Sequence, residues 1–553
     1  MLPAVDLSRT GRAGRTRRTG RTRRAGRLAG AFLAVAAALA ATLTVAPDAG
    51  ARTPLPPQGL VHGAPQVHTQ QGVLSGRRAA PGVDFFGRVP FASPPVGALR
   101  WRPPQPAPSS RGVRDASGPS PVCPQTENSN GPRSETEDCL YLDVWRPDTP
   151  AVRAGRAPVL YWVFGGGGIN GSGSQYQAAE LAAETGAVVV TVNHRLGRLG
   201  FLALPSLSGE ASDGMSGQYG LMDQIAGLRW LRSNASALGG DPQQVTVAGQ
   251  SAGGRAVCRM LAAPPAQGLF ARAIIESGAC DAQPLGPAQE AGTAFAASVG
   301  CGDPATAAQC LRGKDVGTLL DRPGPSGTPT IGGTVLPLDP RQAIAAGRFT
   351  HVPVLVGNTH DENRPYPGIA QPATVDSLAA WVRSSYPHLA EQILDLYADR
   401  TPADAAGAIA SDPDRVCRAW TIENALAPRT RTYAYEFADA TAPAEAVTPG
   451  FTWGAYHTTE LEYLFTFTRS DGSQKFLTGL NAAQEHLARS MRAQWGAFVA
   501  TGRPDPRQGP WPTYRADRPA TLQFRLPHAA LTAGFTADHH CDFWNAHGLI
   551  RTQ

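Results

Sequence analysis

Val245-Thr246-Val247-Ala248-Gly249-Gln250-Ser251-Ala252-Gly253 is the stretch that decides how this chain reads. Residues 245–248 form a short β-rich apolar run, and a helical pattern follows Gly253. A serine between glycines at such a junction sits on a sharp turn that lifts its Oγ to the carboxyl end of a sheet. The glycines leave room where a Cβ would clash. The following helix aims its N-terminal amides at the serine, which favours negative charge developing there. A Gly-x-Ser-x-Gly pattern alone says little in a chain with 61 glycines. Its position after a strand and before a helix gives it weight.

Working outward, the same alternation recurs. Residues 158–164 are β-rich, and 187–192 form a continuous apolar run of buried-strand type. Apolar residues recur at helical spacing over 219–231. Residues 273–275 and 352–356 read as two more strands. Strands alternating with helices imply an α/β fold with a mostly parallel central sheet and helices on both faces. Residues 72–550 show no second composition break and read as one large domain. Residues 52–71 are punctuated by proline and glycine and read as a linker.

Gly165-Gly166-Gly167-Gly168 follows the strand at 158–164. A glycine run there can cradle an anion with backbone amides. A phosphate loop would need Gly-Lys-Ser/Thr next, but Ile169-Asn170 follows. A dinucleotide fingerprint would open a helix with an acid about 20 residues on. With a serine turn downstream, an oxyanion hole fits better than a flexible loop. A serine nucleophile needs a base and an orienting acid, in the order Ser, Asp/Glu, His. Asp361 and Glu362 follow a strand and are candidate acids. Seven histidines lie downstream: His388, His457, His486, His528, His539, His540 and His547. Composition does not choose among them, although His457 sits in a turn after Gly454-Ala455-Tyr456.

The formal charge of +6 comes from 50 basic and 44 acidic residues. Residues 1–51 hold nine arginines against Asp6 and Asp48, so the remainder carries 41 basic and 42 acidic residues. The basicity belongs to the N-terminal segment, and the rest of the chain has no bulk attraction to nucleic acid or membrane. Residues 1–51 run from an arginine tract through an alanine-rich stretch to Ala49-Gly50-Ala51, the order of a secretion signal. A retained membrane anchor is the rival reading, and Arg23-Arg24 leaves the twin-arginine route open beside the general one. Eight cysteines, at 123, 139, 258, 280, 301, 310, 417 and 541, lack zinc-like spacing and suit disulfides in an exported protein.

Together these segments resemble the type-B carboxylesterase and lipase family, a cholinesterase-like α/β-hydrolase group. The resemblance spans nearly all of residues 72–546. Glu137-Asp138-Cys139-Leu140-Tyr141-Leu142-Asp143-Val144-Trp145 is similar to one family signature, with Asp143 where asparagine is usual; Ser251 lies in another. Asn193-His194-Arg195-Leu196-Gly197, Gly220-Leu221-Met222-Asp223-Gln224 and Gly239-Gly240-Asp241-Pro242 match further segments. The resemblance implies Ser251 as nucleophile, His457 as base and Glu362 as acid. It implies an oxyanion hole from the amides of Gly166, Gly167 and Ala252, and no metal or organic cofactor. It also implies ion pairs of Arg100 with Glu137 and Arg195 with Asp223.

By the same resemblance Cys123 pairs with Cys139, Cys301 with Cys310 and Cys417 with Cys541. Cys258 lies two helical turns beyond Ser251, and Cys280 ends the segment after the next strand. That strand should neighbour the nucleophile strand, so a fourth bridge, Cys258–Cys280, is expected. Four positions depart from the family pattern: Gln250 replaces glutamate, Asn363 replaces glycine, and Phe164 and Gly168 flank the oxyanion loop. The last two are expected to loosen it. Residues 124–138 contain no aromatic to receive a quaternary ammonium, which argues against choline esters. The expected activity is a secreted serine esterase acting on neutral carboxylic esters, with small-molecule esters as partners. A lipase for long acyl chains is the alternative. A non-catalytic binding protein on the same fold is a third reading, disfavoured because serine and histidine are both retained. Oligomeric state has no signature in the sequence.

Overall fold

The apolar runs become the inner strands of one eleven-stranded sheet in the computed structural model, which describes residues 63–550 apart from 506 and 508. In chain order the strands are β1 Arg77–Ala80, β2 Val83–Pro90, β3 Tyr141–Pro147, β4 Ala157–Val163, β5 Val188–Val192 and β6 Gly240–Gln250. They continue with β7 Arg272–Glu276, β8 Val354–Thr359, β9 Thr432–Phe437, β10 Thr521–Phe524 and β11 Ala530–Thr532. The spatial order is β11-β10-β9-β8-β7-β6-β4-β5-β3-β2-β1. From β10 to β5 every neighbouring pair is parallel, and antiparallel strands close both edges.

Burial explains this order. All of Val188-Val189-Val190-Thr191-Val192 is buried, as expected for a strand covered on both faces. The strand foreseen at 352–356 instead starts at Val354, because Pro353 has no N–H for the ladder. The strand foreseen at 245–248 runs from Gly240 to Gln250, with a register irregularity between Gly240 and Val245. The main helices are α1 Ala179–Thr185, α2 Tyr219–Asn234, α3 Ala252–Ala262, α4 Cys417–Leu426 and α5 Ala482–Thr501. Trp162, Tyr161, Trp495 and Val190 are among the residues filling the main core between helices and sheet. Each such side chain contributes about 1.5–3 kcal/mol on burial.

The foreseen linker at 52–71 is too long at its C-terminal end. Gln66–Thr69 pairs antiparallel with Gly72–Ser75, and Val67 is buried, so the ordered domain already includes the last residues of that stretch. A proline- and glycine-rich composition hid a four-residue edge strand. The secretion signal expected at 1–51 lies outside the described residues. No helix among the described residues is long and apolar enough to cross a membrane.

All four disulfides are formed: Cys123–Cys139, Cys258–Cys280, Cys301–Cys310 and Cys417–Cys541. The second joins α3, directly behind Ser251, to the segment after β7. Both ion pairs are present. Arg100 grips Glu137 through two hydrogen bonds of 2.7 and 2.6 Å. Arg195 is buried on Asp223, donating from Nε at 2.8 Å, Nη2 at 2.7 Å and its backbone N–H at 3.0 Å.

Candidate active site

Ser251 stands between β6 and α3 with φ 57° and ψ −120°, a backbone conformation costly for any residue but glycine. Its neighbours sustain it. A Cβ at Gly253 would fall 1.9 Å from the carbonyl oxygen of Val163 on β4, so only glycine fits. The Ser251 N–H donates to the carbonyl of Glu276 at 2.8 Å, tying the turn to β7. The strain is held by the sheet, and Oγ is left at its carboxyl edge.

His457 Nε2 lies 2.8 Å from Ser251 Oγ, and His457 Nδ1 lies 2.6 Å from Glu362 Oε2. Glu362 is fully buried in the turn after β8. Its other oxygen accepts the Thr359 N–H at 3.1 Å, and its carbonyl accepts the His457 N–H at 3.1 Å. Burial alone would raise the Glu362 carboxyl, but His457 and Arg415 outweigh it and hold it below the usual carboxylate range. For His457 burial lowers the imidazole, Arg415 lowers it further, and Glu362 opposes them; the net direction is down. Asp361, the other candidate acid, turns away: Oδ2 accepts the Ala455 N–H at 2.9 Å, and Oδ1 meets His360.

The glycine loop has φ of 108°, 67° and 73° at Gly166, Gly167 and Gly168. Among the described residues the N–H groups of Gly166, Gly167 and Ala252 have no protein acceptor. The loop is not loosened as expected at Gly168. A Cβ there would stand 2.4 Å from the Gly327 carbonyl oxygen, so a second backbone segment takes the space of the missing aromatic. Phe164 stacks on His194 with ring centroids 4.5 Å apart. Gln250 is buried beside two carboxyls that burial raises: Glu276, pushed up to about 8, and Glu460. Burial thus disfavours the charge of both carboxyls, and the amide adds none.

Sequence reasoning missed Arg415. It lies on a π-helical turn, Asp412–Val416, and its Nη1 is 3.3 Å from His457 Nε2. Nothing in the local sequence marks a single arginine among 48 as facing the site. A partial signal existed at Asn363, whose Oδ1 accepts the Arg415 Nε–H at 3.0 Å. A glycine there could not make that bond.

A second histidine is also held by carboxylates. His539 is buried between Asp412 Oδ1 at 2.8 Å and Glu436 Oε1 at 2.7 Å. His360, Glu436 and His539 converge within 4.8 Å, a grouping that could suit a metal. Both ring nitrogens of His539 already donate to carboxylates, and both of His360 face Asp361 and Asp538. Burial lowers the His539 imidazole, but Asp412 and Glu436 reverse this and push it up to about 9. Held in this way, the two histidines form a buried charge network with Asp412, Glu436, Asp361 and Asp538.

A parallel sheet with a serine turn at its carboxyl edge, a histidine in contact with that serine and a glycine loop beside it defines an α/β-hydrolase. The carboxylesterase family model matches residues 63–544. The chain is 34% identical to the fumonisin B1 esterase of Sphingopyxis macrogoltabida over 473 residues, covering 81% of this chain and 84% of that one. It is 31% identical to the para-nitrobenzyl esterase of Bacillus subtilis (strain 168) over 488 residues, covering 82% and 94%. The solved structure of a thermophilic pNB esterase superposes with a TM-score of 0.70 at 30% identity, covering 84% of this chain and 97% of that one. The chain belongs to the carboxylesterase family, and it is a carboxylic ester hydrolase.

Proposed function

We propose that the protein is a secreted serine esterase working through Ser251, His457 and Glu362 and an acyl-enzyme intermediate. The 2.8 Å contact between His457 Nε2 and Ser251 Oγ carries this reading. His457 takes the serine proton as Oγ attacks the ester carbonyl. Glu362 fixes the proton on Nδ1 and stabilises the imidazolium. The N–H groups of Gly166, Gly167 and Ala252 receive the tetrahedral oxyanion, where losing one donor typically costs about 3 kcal/mol. Protonated His457 then delivers its proton to the departing alcohol. Water, deprotonated by the same nitrogen, releases the acid.

Secretion through a signal at 1–51 is part of the proposal. Four disulfides in one chain support an oxidising compartment. N-terminal sequencing of protein from culture medium tests it: a chain starting near Arg52 is expected, and an intact Met1 would overturn it. For the chemistry, an ester panel varied on the acyl and alcohol sides is run against Ser251→Ala as blank. Turnover of short esters by the wild type alone is expected. Equal turnover by Ser251→Ala would overturn the reading, and a rate that climbs steadily to long acyl chains would move it to a lipase.

A further inference from the structure

Arg415 has no role in the chemistry above, yet its guanidinium touches the nitrogen on which that chemistry turns. Its Nη1 lies 3.3 Å from His457 Nε2. A donor there competes with the Ser251 hydroxyl for the imidazole lone pair. Its charge also opposes the imidazolium that must form during attack. A cation so placed hinders catalysis unless something anionic occupies it.

The protein supplies that anion only at the limit of ion-pair distance. Arg415 Nε donates to the neutral amide of Asn363, and the nearest carboxylate oxygens, of Glu362 and Asp414, are 4.0 and 3.9 Å away. Glu362 is already spent on His457. Among the described residues Arg415 Nη2 has no hydrogen-bond acceptor, and the side chain is 34% exposed. The surroundings deepen the imbalance. Arg255, on the first turns of α3, and Arg259 share the single carboxylate of Asp281, which the Cys258–Cys280 bridge holds against α3. Arg418 pairs with Asp414 and lies within electrostatic range of Arg415 and Arg255. Four guanidinium groups therefore face Asp281, Asp414 and Glu362. This excess sits beside the nucleophile of a chain whose bulk charge outside residues 1–51 is close to zero.

We propose that Arg415 is the recognition group for a carboxylate carried by the substrate a few bonds from the scissile ester. The inference rests on the serine-esterase reading and narrows its substrates to anionic esters. A substrate carboxylate would engage the open Nη donors in a charge-assisted pair. It would draw the guanidinium off His457 Nε2 and neutralise the charge that opposes imidazolium formation. The carboxylate comes either from the acyl side, as in a monoester of a dicarboxylic acid, or from the alcohol side, as in an acylated hydroxy acid.

Two substrate pairs separate these sources: monoethyl glutarate against ethyl pentanoate, and acetoxyacetate against ethyl acetate, all followed by acid release at constant neutral pH. In at least one pair the anion is expected to have a kcat/KM about tenfold or more above its neutral partner, with an advantage that shrinks as salt rises. Arg415→Gln should bring that ratio to one or below, and Arg415→Lys should keep part of it. Glutarate dianion should inhibit the wild type competitively, and glutaramide should not; this reading needs no variant. Neutral esters faster in both pairs, or a ratio unchanged in Arg415→Gln, would overturn the proposal. Hydrolysis of ethyl acetate that depends on Ser251 would leave the esterase reading standing in that case. A wild type inactive on all four esters would remove the esterase reading itself.

Discussion

Glu362 and His457 are joined twice: Oε2 to Nδ1 at 2.6 Å, and carbonyl to backbone N–H at 3.1 Å. The side-chain contact sets the tautomer, and the backbone contact sets where the ring stands. Glu362→Gln keeps the backbone contact and the shape but removes the charge and permits the wrong tautomer. A fall in kcat of about 10³–10⁴-fold with little change in KM is expected. Steady-state kinetics on a short ester checks it, and a loss confined to KM would mean that Glu362 only shapes the pocket.

The pH profile follows from His457. In the proposed mechanism the base is the neutral imidazole, and its pKa lies below the ordinary 6.5. The acid limb of kcat/KM for a neutral ester should therefore have its midpoint below 6.5. Removing the Arg415 charge favours the imidazolium, so Arg415→Gln should move that midpoint upward. A shift downward would show that Arg415 does not act on His457 by charge.

The glycine loop proposed as the oxyanion hole is sensitive at Gly166. An added Cβ would meet the Asn170 carbonyl oxygen at 2.2 Å, on a residue with φ 108°. Gly166→Ala should displace one or both loop amides and cut kcat by about 10²–10³-fold, with the fold retained. Circular dichroism beside kinetics separates this from unfolding.

The Arg195–Asp223 pair is a matter of stability. Its side chains are 3% and 0% exposed. Asp223→Asn strands a buried guanidinium and should cost about 3–5 kcal/mol in denaturant unfolding. The damage should reach the oxyanion loop as well, because Gly197, two residues on, donates to the Gly168 carbonyl at 2.7 Å.

His539 predicts a loss of stability in alkali. Its pKa rises from 6.5 to about 9 on folding. A raised value means the stabilisation is complete below about pH 6.5 and is lost as pH passes through about 9. The melting temperature should fall across that window, and His539→Gln should flatten the fall while lowering stability throughout. A melting temperature that is flat to pH 10 or so would mean that the network carries little stability.

The inner strands and the serine turn were legible because they rest on local pattern: valine runs, and glycines flanking one serine. The fourth disulfide was legible because β6 and β7 are adjacent, which brings the segments beyond their carboxyl ends together. Other features were not. Asp361 and Glu362 are consecutive, and only the path of the turn after β8 sends one to Ala455 and the other to His457. His457 and His539 are both gripped by buried carboxylates, so an acidic partner does not single out His457; contact with Ser251 does. Arg415 was hidden for the same reason, since its position comes from a π-helical turn distant in sequence. The neutral-ester expectation followed from the lack of an aromatic over residues 124–138, and the arginines near α3 that bear on it are scattered in sequence. Asn363, at first only a departure from the family pattern, is the residue that holds Arg415 in place.

Everything proposed for the chemistry depends on Ser251 being the nucleophile that His457 activates. Labelling the purified protein with a fluorophosphonate, followed by peptide mapping, addresses that dependence without intermediate assumptions. One modified residue, Ser251, is expected, with loss of ester hydrolysis in proportion to labelling and a labelling rate that collapses in His457→Ala. A label on any other residue, or hydrolysis that survives full modification of Ser251, would contradict it.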